Sequence, residues 1–179
     1  MKVAIAAGGT GGHVFPGLAV AERLMELDHQ VVWFGAAGGF EQRTLEHRPI
    51  PGRWMTIAGV RGKGWMTLLK APFNLIRAVW QCWTMLGQEQ PQALLGMGGF
   101  VAGPAGLAAR LRGIPLVVHE QNAAPGMTNR VLSRIATRTL QAFPGALDHA
   151  EVVGNPVRSS FAALPEPEQR QVHEGPVRL

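Results

Sequence analysis

The chain opens Val3-Ala4-Ile5-Ala6-Ala7-Gly8-Gly9-Thr10-Gly11-Gly12-His13-Val14-Phe15-Pro16-Gly17-Leu18. The apolar run from Val3 to Ala7 has the length of a strand buried on both faces, and the glycines end it. From Pro16 to Leu27, Leu18, Ala21, Leu24 and Met25 recur at helical spacing. Strand, glycine turn and helix follow in order. Such a turn lets the backbone approach a ligand and aims unpaired N–H groups at it, while the helix dipole favours an anion. Phosphate suits that chemistry; the competing reading is that the glycines only permit tight packing.

Two common nucleotide motifs fail on this stretch. A dinucleotide fingerprint needs glycines at relative positions one, three and six; Gly9 and Gly11 fit, but Val14 holds the third place. A P-loop needs Gly-Lys-Ser/Thr, whereas Gly17 precedes Leu18, and no acidic residue closes the next strand at Phe34-Gly35. His13 stands where the loop enters its helix, a place suited to a general base or a phosphate donor, although a lone histidine is more often structural.

Working outward, Gln30–Phe34 reads as a strand, Phe40–His47 as a short helix and Trp54–Ile57 as a third strand. A long apolar segment, Trp65–Leu86, precedes strand Ala93–Gly96 and a second glycine turn at Gly98-Gly99. Then come a helix at about Val101–Leu111, strand Leu116–Glu120, helix Gly126–Ile135 and strand Thr137–Gln141. This alternation predicts an α/β fold, a Rossmann-like parallel doubly wound sheet. In such a sheet the two glycine turns lie on one edge, because every strand's C-terminal end is there.

The 179 residues are enough for one domain with a real core. Residues 1–158 are expected to form it, with 159–179, rich in Pro, Glu and Gln, a linker into the start of a second domain. A net charge of +5 favours anionic partners without choosing among phosphates, nucleic acid and an acidic membrane face. Cys82 is the only cysteine, which rules out an intrachain disulfide and suggests core packing in a reducing compartment. The opening apolar run is too short for a signal-peptide core, and no stretch reaches the length of a membrane span.

The run Gly8–Ala19 closely resembles the start of the MurG family of peptidoglycan glycosyltransferases, within glycosyltransferase family 28. Further matches follow in the family's order: Gly59-Val60-Arg61-Gly62-Lys63-Gly64, Leu95-Gly96-Met97-Gly98-Gly99-Phe100, His119-Glu120-Gln121-Asn122 and Gly154-Asn155-Pro156-Val157-Arg158. The resemblance implies a GT-B fold, of which this chain supplies the N-terminal, acceptor-binding domain. It implies inverting transfer of N-acetylglucosamine from UDP-N-acetylglucosamine to the C4 hydroxyl of the muramoyl sugar of lipid I, giving lipid II. His13 is then the candidate base. Thr10, Gly11, Gly12, Asn122 and Arg158 fall at donor-contacting positions, and Gly9, Gly11, Gly12, His13, Gly98 and Gly99 are expected to cradle the acceptor diphosphate. Glu120 either orients a hydroxyl as a second catalytic group or caps the next turn. Where many relatives carry Tyr, this chain has Phe100, so any bond from that hydroxyl is lost.

The only aspartates are Asp28 and Asp148, so no Asp-x-Asp pair exists, and the six histidines form no close ligand pair. No metal or other cofactor is expected, helix N-termini stabilising the departing diphosphate instead. Lipid I also implies contact with anionic inner-membrane lipids and a peripheral position on the cytoplasmic face, with other cell-wall synthesis proteins as further partners and no nucleic acid. In Trp65–Leu86 one stripe, Leu69, Phe73, Ile76, Trp80 and Trp83, is the candidate membrane contact, with Lys70 and Arg77, and Arg61 and Lys63 ahead of the segment, supplying positive charge. An adjoining stripe, Leu68, Leu75, Val79, Cys82 and Leu86, would pack on the sheet; the alternative is a wholly buried helix. Pro72 marks a helix start or a kink. As a free fragment, the chain is alternatively a non-catalytic module that binds diphosphate lipid or membrane.

Overall fold

The computed structural model describes residues 1–57 and 65–157, and for 65–70 the backbone alone. Seven strands form one parallel sheet: β1 (Lys2–Ala7), β2 (Gln30–Ala36), β3 (Gly52–Met55), β4 (Ala93–Gly98), β5 (Leu116–Glu120), β6 (Arg138–Gln141) and β7 (Glu151–Val152), in the order β3-β2-β1-β4-β5-β6-β7. Five helices connect them: α1 (Gly11–Glu26), α2 (Phe40–Leu45), α3 (Trp65–Glu89), α4 (Gly99–Leu111) and α5 (Met127–Leu132).

The alternation along β1 sets the layers. Ala4 and Ala6 point to one face, into a core with Val32, Phe34, Cys82, Leu86, Ala102 and Leu116 under α3 and α4. Val3, Ile5 and Ala7 point to the other, against Val14, Leu18, Trp33 and Met97 under α1. Burial on both faces is why the strands read as continuous apolar runs. Burying an aromatic such as Phe34 contributes about 2–3 kcal/mol.

Three elements differ from expectation. Helix α1 begins at Gly11, ahead of Pro16, which lies inside it, as Pro104 lies inside α4. In both helices the proline is the sixth residue, so the strand, glycine turn and helix unit is repeated down to this detail. Pro72 likewise lies inside α3 rather than at its start. The two-residue β7, too short to carry a pattern, extends the sheet next to β6. The expected linker at 159–179 lies outside the described residues.

Candidate active site

Strands β1 and β4 are neighbours at the middle of the sheet, and the chain winds away from them in opposite directions. A crevice forms outside the C-terminal ends of strands at such a reversal, and both glycine turns leave from there. Ala7 at the end of β1 pairs with Gly98 at the end of β4. The turns touch backbone to backbone: a Cβ on Gly99 would fall onto the Gly8 carbonyl, and one on Gly98 would lie 2.9 Å from the His13 ring. Gly9, Gly98 and Gly99 have φ of 92°, 104° and 78°, a region that side chains other than glycine rarely adopt. Both turns therefore stand side by side on one edge of the sheet, as their sequence positions required.

In the first turn Thr10 is the N-cap of α1, and its hydroxyl makes no capping bond. The Thr10 carbonyl accepts from the N–H of His13 and of Val14, while the N–H groups of Gly11 and Gly12, in the first turn, have no partner within the helix. Gly9 departs from its expected role. Its N–H already donates to Glu41 Oε2 at 3.2 Å, so Gly9 supplies the turn and not a donor to the diphosphate. Glu41 is fully buried; its other oxygen accepts from Ala36 N at 2.8 Å, and its carboxyl occupies the space that a Cβ on Gly8 would need. This clamp between α2 and the loop was not foreseen, because an acid in a first helical turn is an ordinary helix signal.

His13 is half-buried, and its Nδ1 lies 3.0 Å from Gln121 Oε1. Gln121 Nε2 donates to the His119 carbonyl at 2.8 Å and lies 3.1 Å from His119 Nδ1. His119 Nε2 in turn lies 3.0 Å from the Gly154 carbonyl. Burial pushes the His119 imidazole below its ordinary value, against the opposing effects of the Gly154 carbonyl and the Glu120 charge. Among the described residues the only buried side-chain nitrogen or oxygen lacking a partner is Asn129 Oδ1. His13 Nε2 has no hydrogen-bond partner among the described residues and is not fully buried.

Glu120 has the geometry of the cap rather than of a group facing substrate. It is fully buried; Oε1 accepts from Asn122 N at 3.0 Å and Asn122 Nδ2 at 2.9 Å, and Oε2 from Gly126 N at 3.1 Å and Asn129 Nδ2 at 2.9 Å. Four donors hold the turn after β5 and leave no room for a hydroxyl. Asn122 is exposed at the same edge, positioned by Glu120. Arg158 lies outside the described residues. The Phe100 ring lies next to Gly9, 3.4 Å from where a Cβ there would stand.

On α3, Phe73, Ile76 and Trp80 are 74%, 67% and 69% exposed, and Arg77 is exposed beside them. Cys82 and Leu86 are buried as expected, together with Ala78. Two positions differ. Leu75, assigned to the packing stripe, is exposed, whereas Trp83, assigned to the membrane stripe, packs against the core with the Arg112 guanidinium 4.4 Å from its ring centroid. Gly87 makes room for that guanidinium, which also donates from Nε to the Trp83 carbonyl at 2.6 Å. The side chains of Leu68, Leu69 and Lys70, and the residues Arg61 and Lys63, lie outside the described residues. Among the described residues no helix is long and apolar enough to cross a membrane, and no three His, Cys, Asp or Glu side chains converge as a metal site would require.

Comparison with known proteins agrees with this architecture. Residues 3–141 match the glycosyltransferase family 28 N-terminal domain. The chain is 52% identical over 169 residues to the UDP-N-acetylglucosamine–N-acetylmuramyl-(pentapeptide) pyrophosphoryl-undecaprenol N-acetylglucosamine transferase of Histophilus somni, covering 94% of this chain and 47% of that relative. It is 54% identical over 178 residues to the enzyme of the same name from Xanthomonas campestris pv. campestris, covering 99% and 42%. The crystal structure of Acinetobacter baumannii MurG superposes with a TM-score of 0.78 at 45% identity, over 87% of this chain and 46% of that one. The chain thus spans about half the length of the curated relatives it matches. With the two glycine turns at the sheet's reversal point and the matched residues in agreement, this chain belongs to glycosyltransferase family 28, whose N-terminal domain it carries.

Proposed function

We propose that the chain is the acceptor-side half of an inverting glycosyltransferase that moves N-acetylglucosamine from UDP-N-acetylglucosamine to the C4 hydroxyl of the MurNAc sugar in lipid I, forming lipid II. The observation that carries this reading is His13, which stands where the two glycine turns meet at the sheet's reversal point with its Nε2 unpartnered among the described residues. The acceptor hydroxyl gives its proton to His13 Nε2 as its oxygen bonds to the anomeric carbon; the bond from that carbon to the UDP oxygen breaks, and UDP leaves with the electron pair. The N–H groups of Gly11 and Gly12, the Thr10 hydroxyl, Asn122 and Arg158 serve the donor, and the N-terminus of α4 at Gly98 and Gly99 serves the acceptor diphosphate. Positive helix ends take the role a metal ion plays elsewhere, so the reaction is proposed to need none. Glu120 acts through Asn122 and Asn129 as a positioning residue.

The exposed Phe73, Ile76 and Trp80, with Arg77 among them, support a peripheral seat on anionic lipid at the cytoplasmic face, where lipid I is met. Other cell-wall synthesis proteins are candidate partners there. The decisive assay supplies lipid I and labelled UDP-N-acetylglucosamine to this chain alone and to the chain joined to the C-terminal half of the Histophilus somni relative. Turnover is expected only in the joined protein. There His13→Ala should lower kcat by about 10²–10⁴ while donor KM changes little. Near-normal turnover without His13 would remove it as the base, and binding of lipid without turnover by the joined protein would favour a non-catalytic module.

A further inference from the structure

The hydrogen bonds behind His13 form a chain fixed at both ends by backbone carbonyls, and a carbonyl can only accept. At the inner end the amide of Gln121 lies 2.8 Å from the His119 carbonyl, so the atom facing that oxygen must be the NH₂ group. This fixes the side-chain amide without reference to any histidine. Its oxygen then faces His13 Nδ1 at 3.0 Å, and an amide oxygen also only accepts, so Nδ1 must carry the hydrogen. At the outer end His119 Nε2 faces the Gly154 carbonyl at 3.0 Å and must likewise carry the hydrogen. The second N–H of Gln121 then meets a bare His119 Nδ1 at 3.1 Å. Every donor finds an acceptor under this one assignment.

We propose that Gln121, held by His119 and Gly154, is a positioning residue that locks neutral His13 in its Nδ1–H tautomer and so presents the Nε2 lone pair to the acceptor hydroxyl. A neutral imidazole in the opposite tautomer would turn an N–H toward the substrate and could not accept its proton. The hydrogen bond to Gln121 survives catalysis, because the ring gains its proton at Nε2 and continues to donate from Nδ1. His119 must remain neutral for the chain to hold, since a second ring hydrogen at Nδ1 would confront the amide NH₂; its burial keeps it so. Gly154 has φ of 77°, which only glycine adopts readily, and this turn aims its carbonyl at His119. The base is thereby tied to the segment that follows β7.

The inference rests on the reading of His13 as base, but the ring tautomers test it separately from turnover. Two-bond proton–nitrogen correlation spectra of the 179-residue chain with ¹⁵N-labelled histidine, recorded at about pH 8.5 where ordinary imidazoles are neutral, should show hydrogen on Nδ1 of His13 and on Nε2 of His119. In Gln121→Leu, His13 should revert to the Nε2–H form that free imidazoles favour in water, and in the joined enzyme that variant should lose tenfold or more in kcat with donor KM moving less than threefold. Hydrogen on Nε2 of His13 in the unaltered chain, or an unchanged His13 tautomer in a folded Gln121→Leu, would overturn the proposal. The unaltered chain decides the tautomers alone if the variant does not fold. Correct tautomers with an unchanged kcat would keep the lock and overturn the role of His13 as base.

Discussion

Gly99 illustrates how much of this site depends on a missing atom. Its φ of 78° alone disfavours any other residue, and a Cβ would also meet the Gly8 carbonyl, a backbone atom that cannot move without shifting β1. Gly113 has nearly the same φ, 72°, with nothing within 4 Å of a Cβ, so it isolates the dihedral cost. Gly113→Ala should therefore cost about 1–2 kcal/mol, and Gly99→Ala roughly 1–3 kcal/mol more, measured as urea-unfolding midpoints of the two variants. Equal losses would mean that the two loops do not touch as described. Such glycines are legible in sequence because the need for them is local, and His13 is legible because it adjoins them. Gln121 is 108 residues from His13, and Glu41 is 32 from Gly9. What joins those pairs is strand order, and no window of sequence contains it. The motif His119-Glu120-Gln121-Asn122 lies beside His13 in the fold, but that Gln121 is the side chain facing it became visible only with the strands in place.

At the scale of elements, period and length revealed the strands because both faces of the sheet are covered, and the same logic misplaced Leu75 and Trp83. Dividing Trp65–Leu86 into two stripes assumes that one face of the helix is covered along its whole length. Residues 72–77 are instead all exposed, and among the described side chains of α3 full burial begins at Ala78, so the apolar side chains of 72–77 stand uncovered. Trp83 lies beyond that point, where Arg112, the C-cap of α4, covers it. Among the described residues this leaves Phe73, Ile76 and Trp80, with Leu75 beside them, as the exposed apolar patch proposed to meet lipid. Phe73→Asp combined with Ile76→Asp should weaken binding to phosphatidylglycerol or cardiolipin vesicles by tenfold or more in sedimentation assays, with the unfolding midpoint unchanged because neither side chain is buried. Undiminished vesicle binding by the folded double variant would end the lipid reading of this patch.

At the scale of the whole molecule, one carboxylate links the first strand, an outer strand and the end of the longest helix. Glu89 closes α3 and pairs with Lys2 of β1 and with Arg53 of β3, whose Nε donates at 2.6 Å. The Glu89 side chain is only 9% exposed, so these pairs are screened less than ordinary surface bridges. The hydrogen bond from Lys2 holds the Glu89 carboxyl below its ordinary value, against the opposing effect of burial, with Arg53 and both cationic charges adding to the depression. A carboxyl depressed in the folded state stabilises that state above its unfolded pKa, and the contribution is lost as the pH falls through the folded value. At pH 7 Glu89→Gln should therefore lower stability by on the order of 1 kcal/mol, and the gap between variant and parent should narrow as the pH drops through the ordinary carboxylate range toward the lower value of the folded protein. Urea melts of both proteins from pH 7 to pH 4 measure this. A gap that stayed constant or widened on acidification would show that Glu89 holds β1, β3 and α3 together by packing rather than by charge.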